Sequence, residues 1–255
     1  MQFSQVKAIV TGAASGLGLA VVQRIVQAGG KAVIFDADIE AAENSAFSTG
    51  GDVIALQVDV CDESSVATAL KEAIDYLGEV NLLVNCAGIL KSAKVVSATR
   101  VMPVEDFQRQ IAVNLTGTFI VLKAVAEMMR DNMAGADEER GVIINTASIA
   151  AFEGQIGQVA YSASKGAVAS MTLPLARELA DFNIRVMCIA PGVFDTKMMA
   201  GVSDEIKNSI IKQSLFPPRM GDASEFAQLV EQIVENPMLN ACVIRLDGGL
   251  RMPAH

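Results

Sequence analysis

A chain of 255 residues is long enough for one large α/β domain or two small ones, and no shift in composition marks a linker, so a single domain is expected. The formal net charge of −9 opposes nucleic-acid binding, and any polyanionic substrate would need a local cluster of cations. The one histidine is His255, which leaves out Ser-His-Asp and multi-histidine metal chemistry unless an ordered tail folds back, and Cys61, Cys86, Cys188 and Cys242 lack the C-x-x-C spacing of a zinc cluster.

Val6 to Val10 reads as a strand, followed by the turn Thr11-Gly12-Ala13-Ala14-Ser15-Gly16-Leu17-Gly18 and by Leu19, Val21, Val22, Ile25 and Val26 at helical spacing. Ala32 to Phe35, ending at Asp36, reads as a second strand, Val53 to Val58 as a third and Asn81 to Val84 as a fourth, with helical stretches between. Two segments interrupt the alternation: the polar and β-branched stretch Lys91 to Pro103, and the charged loop Met133 to Arg140. Beyond them come a fifth strand at Val142 to Asn145, a helix from near Ser162, a strand at Ile184 to Ile189, a helix from near Ala223, and a last strand at Cys242 to Leu246. Pro174 falls inside the helix from Ser162, where it should kink the helix or leave a carbonyl near Ser170 unpaired. Strands this uniformly apolar must be covered on both faces. The expected fold is therefore a single-domain, Rossmann-type, doubly wound parallel sheet of about seven strands with helices on both faces. A dinucleotide-binding half is expected over about residues 1–100, and a catalytic and substrate half over about 101–255.

Gly12, Gly16 and Gly18 lie between a strand and a helix, where glycines allow a tight turn and let a pyrophosphate approach the helix N-terminus. Taken alone, such a turn is equally a purely structural one. Asp36 ends the second strand 18 residues after Gly18, where a carboxylate can accept hydrogen bonds from ribose hydroxyls and would repel a 2′-phosphate. No Lys or Arg stands among Ala13, Ala14, Ala37 and Asp38 to neutralise such a phosphate, so NAD is expected over NADP. The competing reading of Asp36 is a cap for the next helix. Asp59-Val60, at the end of the third strand, and Asn85-Cys86-Ala87-Gly88, at the end of the fourth, are weaker candidates, since such residues are common in loops.

Tyr161 and Lys165 are four residues apart and so share one helix face, where an ammonium would lower the pKa of a phenol toward that of a general base. The spacing by itself also describes an ordinary helix face. Ser148 follows the fifth strand, 13 residues before Tyr161, where its hydroxyl can hold a substrate oxygen at the carboxyl edge of the sheet or simply cap a turn.

In order and spacing, T-G-x-x-x-G-x-G, N-x-A-G, Ser148, Tyr161-x-x-x-Lys165 and Pro191-Gly192-Val193 resemble the short-chain dehydrogenase/reductase family, and the resemblance covers essentially the whole chain. It implies that Asn114 is a fourth catalytic residue, holding a water in a proton relay through Lys165; from the residues alone Asn114 reads as a polar position inside a helix. The resemblance also implies cofactor contacts from Ser15 and Leu17 at the pyrophosphate, Cys86 near the adenosine ribose, and Phe194 and Thr196 toward the nicotinamide. The implied reaction is oxidation of a secondary alcohol, with Ser148 and Tyr161 on the substrate oxygen, Tyr161 taking its proton, and Lys165 binding ribose and keeping Tyr161 acidic. No metal is implied, and a homotetramer is, built on the helices around Asn114 and Tyr161 and on the C-terminal strand and tail.

Longer stretches, Gly141 to Gln155, Met171 to Pro174, and Val243 to Gly248 with Arg251-Met252, resemble the type II 3-hydroxyacyl-CoA dehydrogenase branch of that family. That implies an acyl-CoA substrate, whose phosphates would call on Lys91, Lys94 and Arg100 after the fourth strand, or on Lys197, Lys207, Lys212 and Arg219 after Pro191-Gly192; solvated loop charges are the plain alternative. A 3-oxoacyl-carrier-protein reductase, a steroid or polyol dehydrogenase, and a non-catalytic dinucleotide sensor remain as other readings. Asp36 stands against the first, and the intact tetrad against the last. No uncharged apolar run reaches the roughly 18 to 20 residues of a bilayer span, and no leader is visible, so a cytoplasmic protein without a membrane partner is expected.

Overall fold

A computed structural model describes residues 1–196, 199, 205, 209 and 211–254. Seven strands form one parallel sheet: β1 (Lys7–Thr11), β2 (Lys31–Asp36), β3 (Val53–Gln57), β4 (Leu82–Asn85), β5 (Gly141–Thr146), β6 (Ile184–Pro191) and β7 (Val243–Leu246), in the spatial order β3-β2-β1-β4-β5-β6-β7. The chain steps outward from β1 to β3 and then returns to pair β4 with β1, Thr11 opposite Asn85. At such a reversal the loops after neighbouring strands splay apart and leave a crevice at their carboxyl ends.

The helices are α1 (Gly16–Gln27), α2 (Ile39–Thr49), α3 (Glu63–Leu77), α4 (Val104–Ile111), α5 (Thr118–Met129), α6 (Val159–Leu179) and α7 (Ala223–Glu235). Side chains alternate across each strand, so the apolar strands feed two cores. Ala8, Val10, Leu82, Val84, Val142 and Ile144 pack with Val21, Val22 and Ile25 of α1 and Phe226, Val230 and Ile233 of α7. Ile9, Leu83 and Ile143 face the other way, onto Val66 and Leu70 of α3 and Val121, Leu122 and Val125 of α5. Helix starts are set by carboxylates: Asp38 accepts from Ala41 N–H, Asp62 from Ser64 N–H, and Asp222 forms a capping box with Glu225.

Helix α6 begins at Val159, three residues before the expected start, and runs on through Pro174. Pro174 and Ser170 both lie on its exposed side, so the carbonyl deprived of its helical donor is open to water, which lowers the cost of the missing bond. Between α4 and α5, residues Ala112–Gly117 form a π-helical stretch and join the two into one helix over Val104–Met129, whose most apolar 18-residue window is half buried in the fold. A π turn is wider than an α turn and often marks a functional site; this one carries Asn114.

Candidate active site

One cavity of about 860 Å³ opens along the carboxyl ends of the strands, inside the usual range for ligand pockets. Its first end is built on the turn after β1. Gly12 sits at φ +64°, and a Cβ there would lie 2.7 Å from the backbone of Ala87; one at Gly18 would lie 2.8 Å from the carbonyl oxygen of Gly12. Only glycine permits these approaches, which bring the β1 turn, the β4 turn and the start of α1 together. Ser15 precedes α1 in an extended conformation and its side chain caps nothing, so the first-turn N–H groups of Gly16, Leu17 and Gly18 line the cavity without a partner among the described residues. Uncapped N–H groups at the positive end of a helix dipole are the donor set that a pyrophosphate requires.

Asp36 closes this end. Its carboxylate accepts from Ala14 N–H at 3.0 Å and Asp38 N–H at 3.1 Å, while Asp38, not Asp36, caps α2. Fixed in this way and lining the cavity beyond the glycine turn, Asp36 presents negative charge where a ribose would lie. Asp59 and Val60 follow β3 and line the same end, Asp59 held by accepting from Cys61 N–H at 2.9 Å. Arg109, on the last turn of α4, also reaches the cavity, an exposed cation that no motif pointed to.

The other end gathers Ser148, Tyr161 and Lys165. The capping reading of Ser148 is seen directly, its Oγ accepting from Ala150 N–H at 3.1 Å at the start of a short turn, and its side chain stands beside the Tyr161 phenol in the cavity. Tyr161 and Lys165 share one face of α6. The Lys165 Nζ is 5.9 Å from the centre of the phenol ring and donates to the Thr146 carbonyl at 2.7 Å. Burial pushes the Tyr161 phenol above its ordinary value, with the Ser148 hydrogen bond opposing, and the same burial lowers the Lys165 ammonium to about 8. In the free site desolvation is the larger influence on Tyr161, and Lys165 lies close to the same ring.

Asn114 and Asn85 do not line the cavity. Asn114 is fully buried behind it, with Oδ1 accepting from Ile89 N–H at 2.8 Å and Nδ2 donating to the Ile89 carbonyl at 3.0 Å and to Ser164 Oγ at 3.0 Å. It ties the β4 loop to α6, and a Cβ placed on Gly88 would sit 3.3 Å from Asn114 Oδ1 and 3.5 Å from Lys165 Nζ. Asn85 accepts from Thr11 Oγ1 at 3.4 Å and donates to Asn145 Oδ1 at 3.0 Å, a link across the sheet beneath the site. Cys86, Ala87 and Gly88 do line the cavity, and the Cys86 thiol lies 3.5 Å from Thr146 Oγ1. Burial holds that thiol at about 11.

Pro191, Gly192, Phe194 and Thr196 line the cavity after β6, and Thr196 approaches within 3.5 Å of a Cβ placed on Gly16. Thr196 therefore bridges toward the glycine turn. Three of the cations proposed for a polyanionic substrate are committed elsewhere. Lys91 and Arg100 both pair with Asp106, at 2.7 and 3.2 Å, and Arg219 pairs with Glu225 at 2.8 Å. Lys94 and Lys212 are exposed but do not line the cavity, and Lys197, Lys207 and His255 lie outside the described residues. Leu90, Ser92, Gln155, Gln158 and Met252 complete the catalytic end. They come from three segments that meet only in the folded chain, and the sequence offered Gln155 and Met252 only as parts of the longer stretches of resemblance, with no role assigned.

A dinucleotide-binding edge and a Ser-Tyr-Lys cluster in one crevice agree with the family comparison: the short chain dehydrogenase model matches residues 6–207. The chain belongs to the short chain dehydrogenase family. It is 48% identical over 247 residues to the 3-hydroxyacyl-CoA dehydrogenase type-2 of Rattus norvegicus, covering 96% of this chain and 95% of that protein. The Drosophila melanogaster enzyme of the same name is 46% identical over 246 residues, covering 96% of each chain. A 3-oxoacyl-[acyl-carrier-protein] reductase of Bos taurus is more distant, 34% identical over 243 residues, covering 95% of this chain and 97% of that one. Among solved structures, 3-hydroxyacyl-CoA dehydrogenase type-2 from Mycobacterium avium superposes with a TM-score of 0.94 at 34% identity, covering 99% of this chain and 98% of the other. The chain is an oxidoreductase of this family, with the seven-stranded doubly wound sheet that its sequence led us to expect.

Proposed function

We propose that this enzyme oxidises the hydroxyl of a 3-hydroxyacyl-CoA, short branched chains included, to the ketone with NAD, in the breakdown of fatty or branched amino acids. The observation that carries the reading is the pairing, within one cavity, of Asp36 and the uncapped N-terminus of α1 at one end with Ser148, Tyr161 and Lys165 at the other. The similarity to 3-hydroxyacyl-CoA dehydrogenases supports the substrate class. Asp36, with no cation at Ala13, Ala14 or Ala37, supports NAD over a cofactor with a 2′-phosphate and speaks against the reductase reading.

Gly16 to Gly18 would hold the pyrophosphate, Asp36 the adenosine ribose, and Lys165 with Gly88 and Thr196 the nicotinamide side. Once bound, the nicotinamide supplies the hydride acceptor. Ser148, its Oγ fixed by Ala150 N–H, orients the substrate oxygen. Tyr161 exchanges the proton of that oxygen. A protonated phenol donates to a ketone and a deprotonated one takes the proton of an alcohol, so the two directions of the reaction call on opposite states of Tyr161. Asn114 acts through position: by fixing Ile89 and Ser164 it sets α6, and with it Tyr161 and Lys165, against the β4 loop. A homotetramer is part of the proposal, supported by Phe119, Met128 and Leu173, which α5 and α6 leave exposed. A cytoplasmic setting is likewise proposed, supported by four unpaired cysteines.

Steady-state rates in both directions test the reading. Oxidation of a short 3-hydroxyacyl-CoA with NAD should speed up as pH rises from neutral, and reduction of the 3-oxoacyl-CoA should slow. Turnover of steroid or carrier-protein substrates with none of acyl-CoA would overturn it.

A further inference from the structure

Three segments that are distant in sequence close the substrate end, and one of them is the stretch after β7. Arg245, on β7, donates to Asp247 Oδ2 at 2.7 Å and to Glu153 Oε1 at 2.8 Å, and its guanidinium lies over the Phe152 ring, 5.4 Å from the centre. Arg251 returns to the same two carboxylates, at 3.3 Å from Glu153 and 3.2 Å from Asp247. Glu153 therefore meets two guanidiniums, whose charge-assisted bonds hold its carboxyl below the usual range, and its Oε2 also accepts the backbone N–H of Met252 at 3.1 Å. Two further backbone bonds complete the closure: Ile156 N–H to the Ala254 carbonyl at 3.0 Å, and Ala93 N–H to the Gly157 carbonyl at 2.9 Å. The result is that Met252, half-buried, faces the cavity that holds Ser148 and Tyr161.

From this geometry we infer that the stretch Gly249 to Ala254 presents Met252 as the wall that sets which substrates enter, its side chain meeting the carbon chain and Glu153 being the residue that positions it. The inference deepens the acyl-CoA reading and rests on it for the substrate's identity. A thioether on an unbranched side chain is an adaptable apolar surface, suited to an aliphatic chain and not to a charged or sugar-like group. Glu153 does not reach the reacting atoms. It acts by fastening Met252 N–H and the two arginines into one cluster, so the wall stays where the turn after Ser148 puts it.

The test compares wild type with Met252→Ala and Glu153→Gln, using a series of 3-hydroxyacyl-CoA substrates of increasing chain length and a parallel series of secondary alcohols without coenzyme A. Removing the thioether opens the wall, so Met252→Ala should raise the ratio of kcat/KM for long over short chains by about tenfold, the scale on which a pocket resolves methylene groups. Glu153→Gln should move the ratio in the same direction by a smaller factor, through KM for the carbon substrate, with kcat on the shortest chain and the affinity for NAD unchanged. Met252→Ala sits on a half-buried residue outside the charge cluster, so it remains a fair test if Glu153→Gln fails to fold. Unchanged chain-length profiles in Met252→Ala would overturn the inference and leave the acyl-CoA assignment standing. A profile that shifts with free alcohols while coenzyme A esters are never turned over would uphold the wall and overturn the acyl-CoA assignment instead.

Discussion

The two ends of the cavity are built by different means. At the nucleotide end the ligand-facing groups are mostly backbone: helix N–H groups after a glycine turn, with the Asp36 carboxylate set by Ala14 and Asp38 N–H. Each of these groups lies within a few residues of a strand's carboxyl end. At the substrate end the lining is side chains from the β4 loop, the turn after β5, the start of α6 and the stretch after β7, held together by Arg245, Arg251, Glu153 and Asp247. The contrast teaches that one family can keep its cofactor and change its substrate: backbone geometry fixes the first, while a few tethered side chains decide the second.

Tyr161 stands where the two ends meet, and its removal should have the largest effect. Tyr161→Phe should lower kcat by about 10²–10⁴-fold while NAD affinity, measured by calorimetric titration, is unchanged. Retained turnover would mean that the proton leaves through another group. Next in size is Asp36→Ala at the nucleotide end. It should improve NADP relative to NAD by at least about tenfold in kcat/KM, since it removes a carboxylate from the site of a 2′-phosphate. The same change should leave the chain-length profile untouched, and any shift in that profile would blur the separation of the two ends.

The third effect is on stability. The Lys165 ammonium, 5% exposed, has its pKa lowered from 10.5 to about 8, mainly by desolvation. Below pH 8 the group is charged in both the folded and unfolded states, and the folded state bears the full cost. Between about 8 and 10.5 the unfolded state binds more protons, so stability rises with pH. Lys165→Met should therefore stabilise the free protein at pH 7 by about 1–3 kcal/mol, less whatever the bond to Thr146 contributes, and lose that advantage toward pH 10.5. Urea unfolding at pH 7 and pH 10 checks both the sign and its disappearance. Abolished turnover alongside the gain would show the site trading stability for function.

How far each end could be read from the sequence follows from the same contrast. Gly12, Gly18 and Asp36 announce themselves because few residue types satisfy a positive φ, a 2.7 Å backbone approach or a carboxylate at a strand end. All seven strands were legible to within a residue or two, since apolar runs between turn residues carry their own signal. Asn85 was legible as a motif but not in its role: spacing cannot tell a side chain that faces the cavity from one that links β4 to β5 beneath it. The burial of Tyr161 was not legible for a related reason, because the i, i+4 rule gives proximity and not desolvation. Leu90 carries no motif, Gln155 and Met252 stood only within longer stretches of resemblance and without a role, and only long-range closure brings the three to one cavity. The basic residues show the limit most plainly, since Asp106, 15 residues from Lys91, takes both Lys91 and Arg100.

That pairing sets the smallest expected effect. With Lys91 engaged by Asp106 and Lys94 outside the cavity lining, Lys91→Ala with Lys94→Ala should raise KM for an acyl-CoA by less than about threefold at physiological salt. A larger rise would mean that the ion pair opens when substrate binds.

The most direct test of the account is the ratio of kcat/KM with NAD to that with NADP for oxidation of a short 3-hydroxyacyl-CoA by the unaltered enzyme. Asp36 and the cluster of Ser148, Tyr161 and Lys165 predict ready turnover with NAD and at least about a hundredfold preference over NADP. Equal use of the two cofactors, or no oxidation of the acyl-CoA with either, would contradict it.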